Sequence, residues 1–261
     1  MYIVKKELRQ ALWPIIIWPL LLAGMLGICV LVYPQMESQM QEVADSLSQM
    51  GQFSTAFGMD QLDMGKFQDY IGMESTNIMG LLGAMFASLI GIRKLASEED
   101  GHTAELLLTH PISRGRVVAE KLLAMIIEIG LVNIIVVAIT FALIALVNED
   151  MDADKMGMLF FSYFIMQVEL ACVCFGISAY LHHNVIGLGL GVGALAYFLN
   201  IISNLIDELE WLKYITPLGY CDSAKILYDG TLQMDHVGVG LSICIVSIVV
   251  AFVIYHKKEI R

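Results

Sequence analysis

Two acidic side chains stand out because each lies within a long apolar segment. Glu128 and Glu169 are both flanked by runs of aliphatic and aromatic residues. A charge at that depth of a bilayer costs about 2.5–3.5 kcal/mol on insertion scales, so such acids usually face other helices or water. Two interpretations are open: a protonated, hydrogen-bonded structural acid, or contact with a proton or with a cationic or polar ligand. Because a helix rises about 1.5 Å per residue, we expect the two acids at different depths and do not pair them.

Other polar residues offer less chemistry. Asn200 and Asn204 lie four residues apart on one predicted helix and therefore share a face, and we expect them to form hydrogen bonds across helices. His182 and His183 are adjacent, but no third ligand lies near them in sequence, so we predict no metal site. No set of paired acids and histidines suited to catalysis appears. The chain is predicted to be non-catalytic.

The composition indicates lipid rather than water as the main solvent of the chain. Of its 261 residues, 57% are hydrophobic and 16% are charged, whereas a soluble domain is usually about a quarter charged. The mean hydropathy is +0.71. The formal net charge is −11 and no basic face offers phosphate contacts, so nucleic-acid binding is excluded as a function.

Six segments are long and apolar enough to cross a bilayer, which needs about 20 residues per helix. Their apolar runs are continuous rather than alternating, which favours helices over strands. Helices also satisfy their own backbone hydrogen bonds in lipid. We predict a single all-α integral membrane domain covering residues 1–261. The predicted spans are Pro14–Tyr33, Ser75–Ile92, Leu122–Val147, Met156–Leu181, Val185–Ile206 and Val237–Tyr255.

Basic residues distinguish the two sides of the predicted bundle. Eleven Lys and Arg residues fall on the side that holds both termini, and four fall on the other side. Lys and Arg concentrate in the cytoplasmic segments of membrane proteins. We therefore predict that both termini are cytoplasmic and that the chain is a multi-pass protein of the cell membrane.

The first external segment, residues 34–74, is long and contains a helical pattern. Five apolar residues follow one another at spacings of 4, 3, 4 and 3 among polar residues, which indicates an amphipathic helix that can continue the first span outward. This helix either packs on the protein's own outer surface or forms a seam for a second copy or an amphipathic substrate. The five residues are Met36, Met40, Val43, Leu47 and Met50.

The long cytoplasmic loop, residues 93–121, is predicted to contain a helical elbow. Gly101 can break a helix, and a short helix after it would meet Pro111, which cannot continue it. Ser113 is suited to cap the helix that leads into the third span. Residues 106–108 form an apolar knob flanked by charges. The knob either docks onto a cytosolic partner or packs against the inner ends of the spans, and the pattern favours neither.

Residues 211–236, before the last span, are half apolar but too interrupted to cross the bilayer. The pattern is typical of a re-entrant or interfacial helix pair at the outer leaflet, because irregular backbone at membrane depth must be buried in protein. Such a segment can cap a pathway. Pro217 and Tyr220 within it are therefore candidate gate residues.

The cytoplasmic elbow resembles a known signature. From Glu99 to Arg114 it reads EDGHTAELLLTHPISR. This run is similar to the pattern between spans 2 and 3 of the ABC type-2 exporter permeases, which has an acid, Gly-Thr, Glu-Leu-Leu, Pro and Ser-Arg. His102 separates Gly101 from Thr103 here, which departs from the family pattern.

The resemblance extends over the whole chain in topology, including residues 216–220 and the basic ends. It implies that two six-span subunits pair with two nucleotide-binding subunits, so we expect a cytosolic ATPase partner and a second copy of this chain. ATP and Mg²⁺ would bind in the partner, since this chain has no Gly-x-x-x-x-Gly-Lys-Ser/Thr phosphate loop. No cofactor is expected in this chain, and residues 1–13 would form an amphipathic helix along the inner interface.

The same resemblance assigns roles to individual residues. The elbow would be the coupling helix that docks onto the ATPase, and substrate would pass between two copies and leave past residues 211–236. Glu128, Glu169, Asn200 and Asn204 are the candidate pathway residues. The candidate coupling residues are Glu98, Glu99, Gly101, Thr103, Glu105, Leu106, Pro111 and Arg114.

The cargo is open to several hypotheses. The compact size, the long external segment and the lack of a polar lumen fit a lipophilic or amphipathic cargo. Among compact family members, the chain most resembles exporters of antimicrobial or cytolytic peptides, such as phenol-soluble modulins. Drugs, sodium and lipids are alternatives. An intramembrane enzyme or a secondary transporter is a remote alternative, because neither paired acids with facing histidines nor inverted repeats are evident.

Overall fold

The computed structural model describes residues 2–48, 51–57, 62–100, 113–181, 183 and 185–258. Within these ranges every regular element is helical, and six helical segments are long and apolar enough to span a membrane. The prediction of an all-α, six-span membrane fold is confirmed. The segments are Leu12–Met36, Phe67–Ala96, Arg114–Val147, Ala153–Ser178, Ile186–Leu205 and Met234–Lys257.

The described residues form ten α-helices, one π-helical turn and one 3₁₀-helix. The π-helical turn is Met79–Gly83 and the 3₁₀-helix is Asp207–Tyr214. The α-helices are α1 (Tyr2–Gln10), α2 (Leu12–Ser48), α3 (Gln52–Ala56), α4 (Phe67–Ile78), α5 (Ala84–Asp100), α6 (Arg114–Val147), α7 (Ala153–Ser178), α8 (Ile186–Leu205), α9 (Ser223–Asp229) and α10 (Met234–Lys257).

Side-chain caps begin three of the helices. The Ser113 hydroxyl accepts from a backbone N–H in the first turn of α6, as predicted. Asp152 and Asp222 accept backbone N–H groups at the starts of α7 and α9. These caps satisfy donors that the helical ladder leaves unpaired.

The second and fourth spans form the centre of the bundle. In their most apolar stretches 72% and 67% of residues are buried, against 22–33% in the other four spans. The second span is composite, with α4 and α5 joined by the π-helical turn. Helix α5 packs against α7 and α8, α2 packs on α6, and α10 packs on α7. The outer four spans therefore present most of the apolar surface to lipid.

Helix α8 carries four glycines at alternate positions, and the structure divides them between two faces. Gly189 and Gly193 face α5, where a Cβ on Gly193 would lie 2.6 Å from the Met85 Cα. Gly187 and Gly191 have no neighbour within 4 Å of a Cβ position. One glycine pair therefore allows close helix packing, while the other lies on an open face.

The first external segment differs from the predicted loop. Helix α2 continues through Pro34 to Ser48, so the amphipathic stretch does extend the first span outward. Helix α4 already begins at Phe67, before the predicted start at Ser75. The prediction placed the start too late because Asp69 and Glu74 interrupt the apolar run, whereas the structure buries Asp69 within protein.

Residues 211–236 also divide differently from the prediction. The 3₁₀-helix begins earlier, at Asp207, and the last span begins at Met234, three residues before the predicted start at Val237. Between them residues 216–221 are buried and α9 follows as a short helix. Two short helices joined by a buried turn thus lie at the end of the bundle away from the termini, called the outer end after its predicted side. That this segment is re-entrant stays a prediction.

Candidate functional site

Four ionisable side chains meet at the end of the bundle that holds both termini, called the inner end after its predicted cytoplasmic side. Lys94 Nζ lies 2.8 Å from Glu128 Oε2 and 3.1 Å from Glu7 Oε2, and Lys121 Nζ lies 2.9 Å from Glu7 Oε1. Lys121 also donates to the backbone oxygen of Lys94 at 2.6 Å. These four residues, the inner charge cluster, connect α1 to α5 and α6.

The inner charge cluster is buried, and its charges balance. Lys121 is 0% exposed and Lys94 is 8% exposed. Burial alone would raise the pKa of the Glu7 carboxyl, but the adjacent Lys121 and Lys94 outweigh burial and hold that pKa below its ordinary value. Two acids and two bases thus neutralise one another where an isolated charge would be costly.

The placement of Glu128 narrows its two interpretations. Its carboxylate accepts a hydrogen bond from Lys94 near the inner end of the spans, so it is a paired acid, and its pathway role stays a prediction. Sequence analysis missed Glu7 and Lys94 as its neighbours. One signal was available, since Glu7 is the single acid within the otherwise basic first ten residues.

Most candidate coupling residues lie outside the described residues, namely Gly101, Thr103, Glu105, Leu106 and Pro111. Glu98 and Glu99 belong to the last turns of α5. Arg114 Nη1 donates to the backbone oxygens of His256 at 3.1 Å and Lys258 at 2.7 Å. Arg114 therefore caps the carboxyl end of α10, where a cation is favoured by the helix dipole. Its docking role stays a prediction.

Glu169 and Tyr220 meet beneath the outer end of the bundle. The Tyr220 hydroxyl donates to Glu169 Oε2 at 2.9 Å, and both residues are buried. Burial raises the pKa of the Tyr220 phenol, so it remains a donor. A Cβ on Gly240 of α10 would collide with Glu169 Oε2. A candidate gate residue and a candidate pathway residue are thus one hydrogen-bonded pair, and Pro217 is buried in the same turn.

Two further contacts hold helix α9 against the spans. Lys155 Nζ donates to the backbone oxygen of Leu227 at 2.6 Å, at the carboxyl end of α9. The Tyr228 hydroxyl donates to Asp69 Oδ2 at 2.6 Å, and this hydrogen bond raises the pKa of Tyr228 to about 12. Hydrogen bonds to Lys155 of α7 and to Asp69 of α4 therefore fasten the segment that covers the outer end.

A polar cavity of about 310 Å³ opens at the outer end of the bundle. Asn77, Asn200 and Asn204 line it, so the two sequence-predicted asparagines face a cavity. Their hydrogen bonds across helices stay a prediction. The Tyr197 hydroxyl donates to Asn77 Oδ1 at 3.1 Å and orients that amide. Its charged lining residues form the close pairs Lys213–Glu210 and Lys225–Asp222.

The structure adds one polar pair that sequence analysis did not identify. Asn133 Nδ2 on α6 donates to Gln167 Oε1 on α7 at 2.7 Å within the apolar core. Within the described ranges no group of three His, Cys, Asp or Glu could hold a metal ion. His182 and Asn184 of the predicted turn lie outside those ranges.

These features define an all-α, multi-pass membrane protein with a buried charge cluster at one end and a polar cavity at the other. The sequence profile of the ABC-2 family transporter protein matches residues 1–260, so the chain belongs to that family and the resemblance is confirmed. Members of the family are membrane components of ABC transporters and normally work with a nucleotide-binding ATPase subunit. The comparison with curated proteins returned no match.

Proposed function

We propose that this chain is the translocation subunit of an ABC exporter that moves amphipathic peptides out of the cell. A separate subunit hydrolyses ATP, and two copies of this chain form the pathway. Family membership supports the transport role, and the absence of a phosphate-binding loop supports the separate ATPase. Cytolytic and antimicrobial peptides are the cargo class of choice because their helices carry one apolar and one polar face.

The observation that carries the cargo proposal is the two-sided surface of α8. Asn200 and Asn204 face the outer cavity, while Leu195, Phe198 and Ile202 are exposed along the neighbouring face of the same helix. An amphipathic peptide can place its polar face toward the amides and its apolar face along this row.

The charge distribution of the outer cavity favours recognition by amides. Lys213 and Lys225 each have an acidic neighbour within 4.0 Å, so the cavity carries no large net charge. Amide groups both donate and accept hydrogen bonds, which suits the main-chain and polar side-chain groups of a peptide. A cavity of about 310 Å³ is large enough for a short stretch of such a chain.

Assembly with a second copy and with the ATPase completes the proposal. The open glycine face of α8, at Gly187 and Gly191, provides a surface for the second copy. Helix α5 runs from the inner charge cluster directly into the predicted coupling elbow. A push on the elbow by the ATPase would therefore act on Lys94 and on its partners in α1 and α6.

The cargo is tested with the permease and its ATPase subunit reconstituted together in liposomes. An amphipathic helical peptide should stimulate ATP hydrolysis and be transported, and a scrambled peptide of equal composition should do neither. Asn200→Leu together with Asn204→Leu should weaken this stimulation several-fold. Gln35→Leu, which removes an exposed amide outside the cavity, is the matched control. Equal rates with amphipathic and scrambled peptides would reject the peptide cargo.

The coupling role is tested separately with Glu105→Lys. We expect this variant to insert normally into the membrane but to lose cargo-stimulated ATP hydrolysis, because a reversed charge would disturb docking of the elbow. Normal transport by this variant would count against the docking role without bearing on the cargo.

A further inference from the structure

A second cavity, of about 280 Å³, lies at the inner end of the bundle beside the inner charge cluster. Its walls come from α1, the start of α2, the inner turns of α5 and one turn of α6. This inner cavity is far from the outer one, since Asn77 and Arg93 lie sixteen residues apart along the second span, or about 24 Å. The proposed cargo site at the outer cavity does not involve this inner cavity.

Arg93 is the cation of this inner cavity that forms no close ion pair with a described residue, although it interacts electrostatically with the Glu128 carboxylate. Lys94 and Lys121 are paired with Glu7 and Glu128, which leaves the cluster without net charge. The Arg93 side chain is exposed and makes no hydrogen bond or ion pair within 4.0 Å to any described residue. Counted over the cavity lining and the inner charge cluster alone, three bases and two acids leave one surplus positive charge.

Besides Arg93, Gln10 and three members of the inner charge cluster, the residues that line the inner cavity are apolar. Pro14 and Trp18 of α2 face Leu89 and Ile90 of α5 across it. Trp18 packs on Phe86 with ring centroids 5.2 Å apart, which closes the space between the two helices. An apolar wall below a single guanidinium favours an amphiphile over a freely soluble anion.

The apolar wall continues toward the membrane centre on both helices. On α2, Leu21 and Met25 follow Pro14 and Trp18 at helical spacing and are 43% and 40% exposed. On α5, Met85 precedes Leu89 by one turn and is half-buried. A hydrocarbon chain that begins at the cavity therefore meets apolar side chains along its length.

We propose that the inner cavity binds the headgroup of an anionic phospholipid of the inner leaflet, with the phosphate on Arg93 and one acyl chain along α2 and α5. A guanidinium presents paired N–H groups that match two phosphate oxygens. Basic pockets between membrane helices at the cytoplasmic side are suited to such headgroups. Tryptophan at this height lies at the level of the membrane interface.

The bound lipid stabilises the attachment of α1. Glu7, Gln10 and Ala11 line the same cavity, so a headgroup there contacts the junction of α1 and α2 beside the inner charge cluster. Because the lipid binds the assembled arrangement of α1, α2 and α5, it raises the stability of that arrangement.

The experiment measures the thermal unfolding of the purified full chain in detergent as lipid is added. Phosphatidylglycerol and phosphatidylcholine of identical acyl chains are added to the wild-type chain, to Arg93→Gln and to Arg116→Gln. Arg116 is the matched control because it is an exposed arginine at the same end, already paired with Glu120 at 2.9 Å. Native mass spectrometry of the same samples gives the lipid-bound fraction.

We expect phosphatidylglycerol to raise the Tm of wild type and Arg116→Gln more than phosphatidylcholine does. In Arg93→Gln the phosphatidylglycerol affinity should fall about five- to tenfold, which corresponds to one lost charge contact. An unchanged affinity in Arg93→Gln, or an equal loss in Arg116→Gln, would overturn the proposal. The comparison does not depend on any cargo or ATPase and so is distinct from the test of the proposed function.

Two further measurements distinguish a lipid phosphate from a free phosphate and show whether a loss of affinity comes from misfolding. Inorganic phosphate and glycerol phosphate at millimolar concentration should leave Tm unchanged; a rise that matches phosphatidylglycerol would indicate a free-anion site and overturn the lipid assignment. Arg93→Lys keeps the charge but loses the paired donors, so its lipid affinity should be intermediate. Full affinity in that variant would remove the role assigned to the guanidinium.

Discussion

The two ends of the bundle are held by different chemistry. At the inner end, four charged side chains pair with one another and connect three helices. At the outer end, the short helices are fastened by single hydrogen bonds, such as Tyr220 to Glu169 and Tyr228 to Asp69. A buried ion-pair cluster is strongly destabilised when one member is lost, whereas a single hydrogen bond contributes about 1 kcal/mol. The difference indicates that losing one polar contact weakens the inner end more than the outer cover, residues 207–229, which buried apolar side chains such as Leu218, Ile226 and Leu227 also hold in place.

The largest effect on stability is expected at Lys94, in the inner charge cluster. Lys94→Met leaves Glu7 short of a partner and Glu128 buried without a base, so we expect a loss of about 3–5 kcal/mol in the free energy of unfolding. Denaturant unfolding in detergent measures it. Lys94→Met with Glu128→Gln should recover part of the loss, because the second change removes the unpaired carboxylate. Unaltered stability in the single variant would mean that the cluster does not fix the inner end.

The second prediction concerns close packing around Glu169. Gly240→Ala places a methyl group against the Glu169 carboxyl, and we expect a loss of about 1–3 kcal/mol from overpacking. Gly238→Ala on the same helix is the control, since nothing lies within 4 Å of its Cβ position. Thermal unfolding of both variants gives the difference. Equal behaviour would show that α10 does not need to approach Glu169 closely.

A smaller effect is expected at the hydrogen bond that holds the outer cover. Tyr220→Phe removes the donor to Glu169, and we expect a loss of about 1–2 kcal/mol in stability. Labelling of a cysteine introduced in residues 207–214 should become faster in this variant, because the cover opens more often. Glu169→Gln keeps an acceptor for Tyr220 and should retain the wild-type labelling rate. Slower labelling in Tyr220→Phe would contradict the role of the Tyr220 hydrogen bond in holding the outer cover.

The smallest expected effect is the contribution of Glu7 to the pH dependence of the stability of the folded chain. Its pKa is lowered in the folded chain, so its stabilisation is complete above the ordinary value of 4.5 and is lost as the pH falls through the folded pKa. The difference in Tm between wild type and Glu7→Gln should be constant at neutral pH and narrow in acid. Glu208→Gln, which replaces an exposed acid at the outer end, is measured alongside as the control. A difference in Tm that grows in acid would contradict the lowered pKa assigned to Glu7.

Hydropathy patterns predicted the membrane class of the chain correctly, whereas the orientation drawn from the charge pattern stays a prediction. Apolar run length, helical periodicity and capping preference predicted the six spans, the outward extension of α2 and the Ser113 cap. Each of these features depends on residues that are close together in sequence. The pattern failed at the start of the second span, where Asp69 accepts hydrogen bonds from the Asp63 N–H and from Tyr228. A hydropathy count cannot anticipate such partners, because they come from distant parts of the chain.

The sequence by itself determined that the chain lies in lipid as six helices and that its intramembrane acids needed partners. Both follow from the cost of placing unpaired backbone and charge in hydrocarbon. Only the tertiary structure decided which partners those acids have, Lys94 for Glu128 and Tyr220 for Glu169. It also decided which face of α8 packs and which faces the outer cavity. These choices depend on how helices far apart in sequence pack together, and residue spacing along one helix carries no information about that packing.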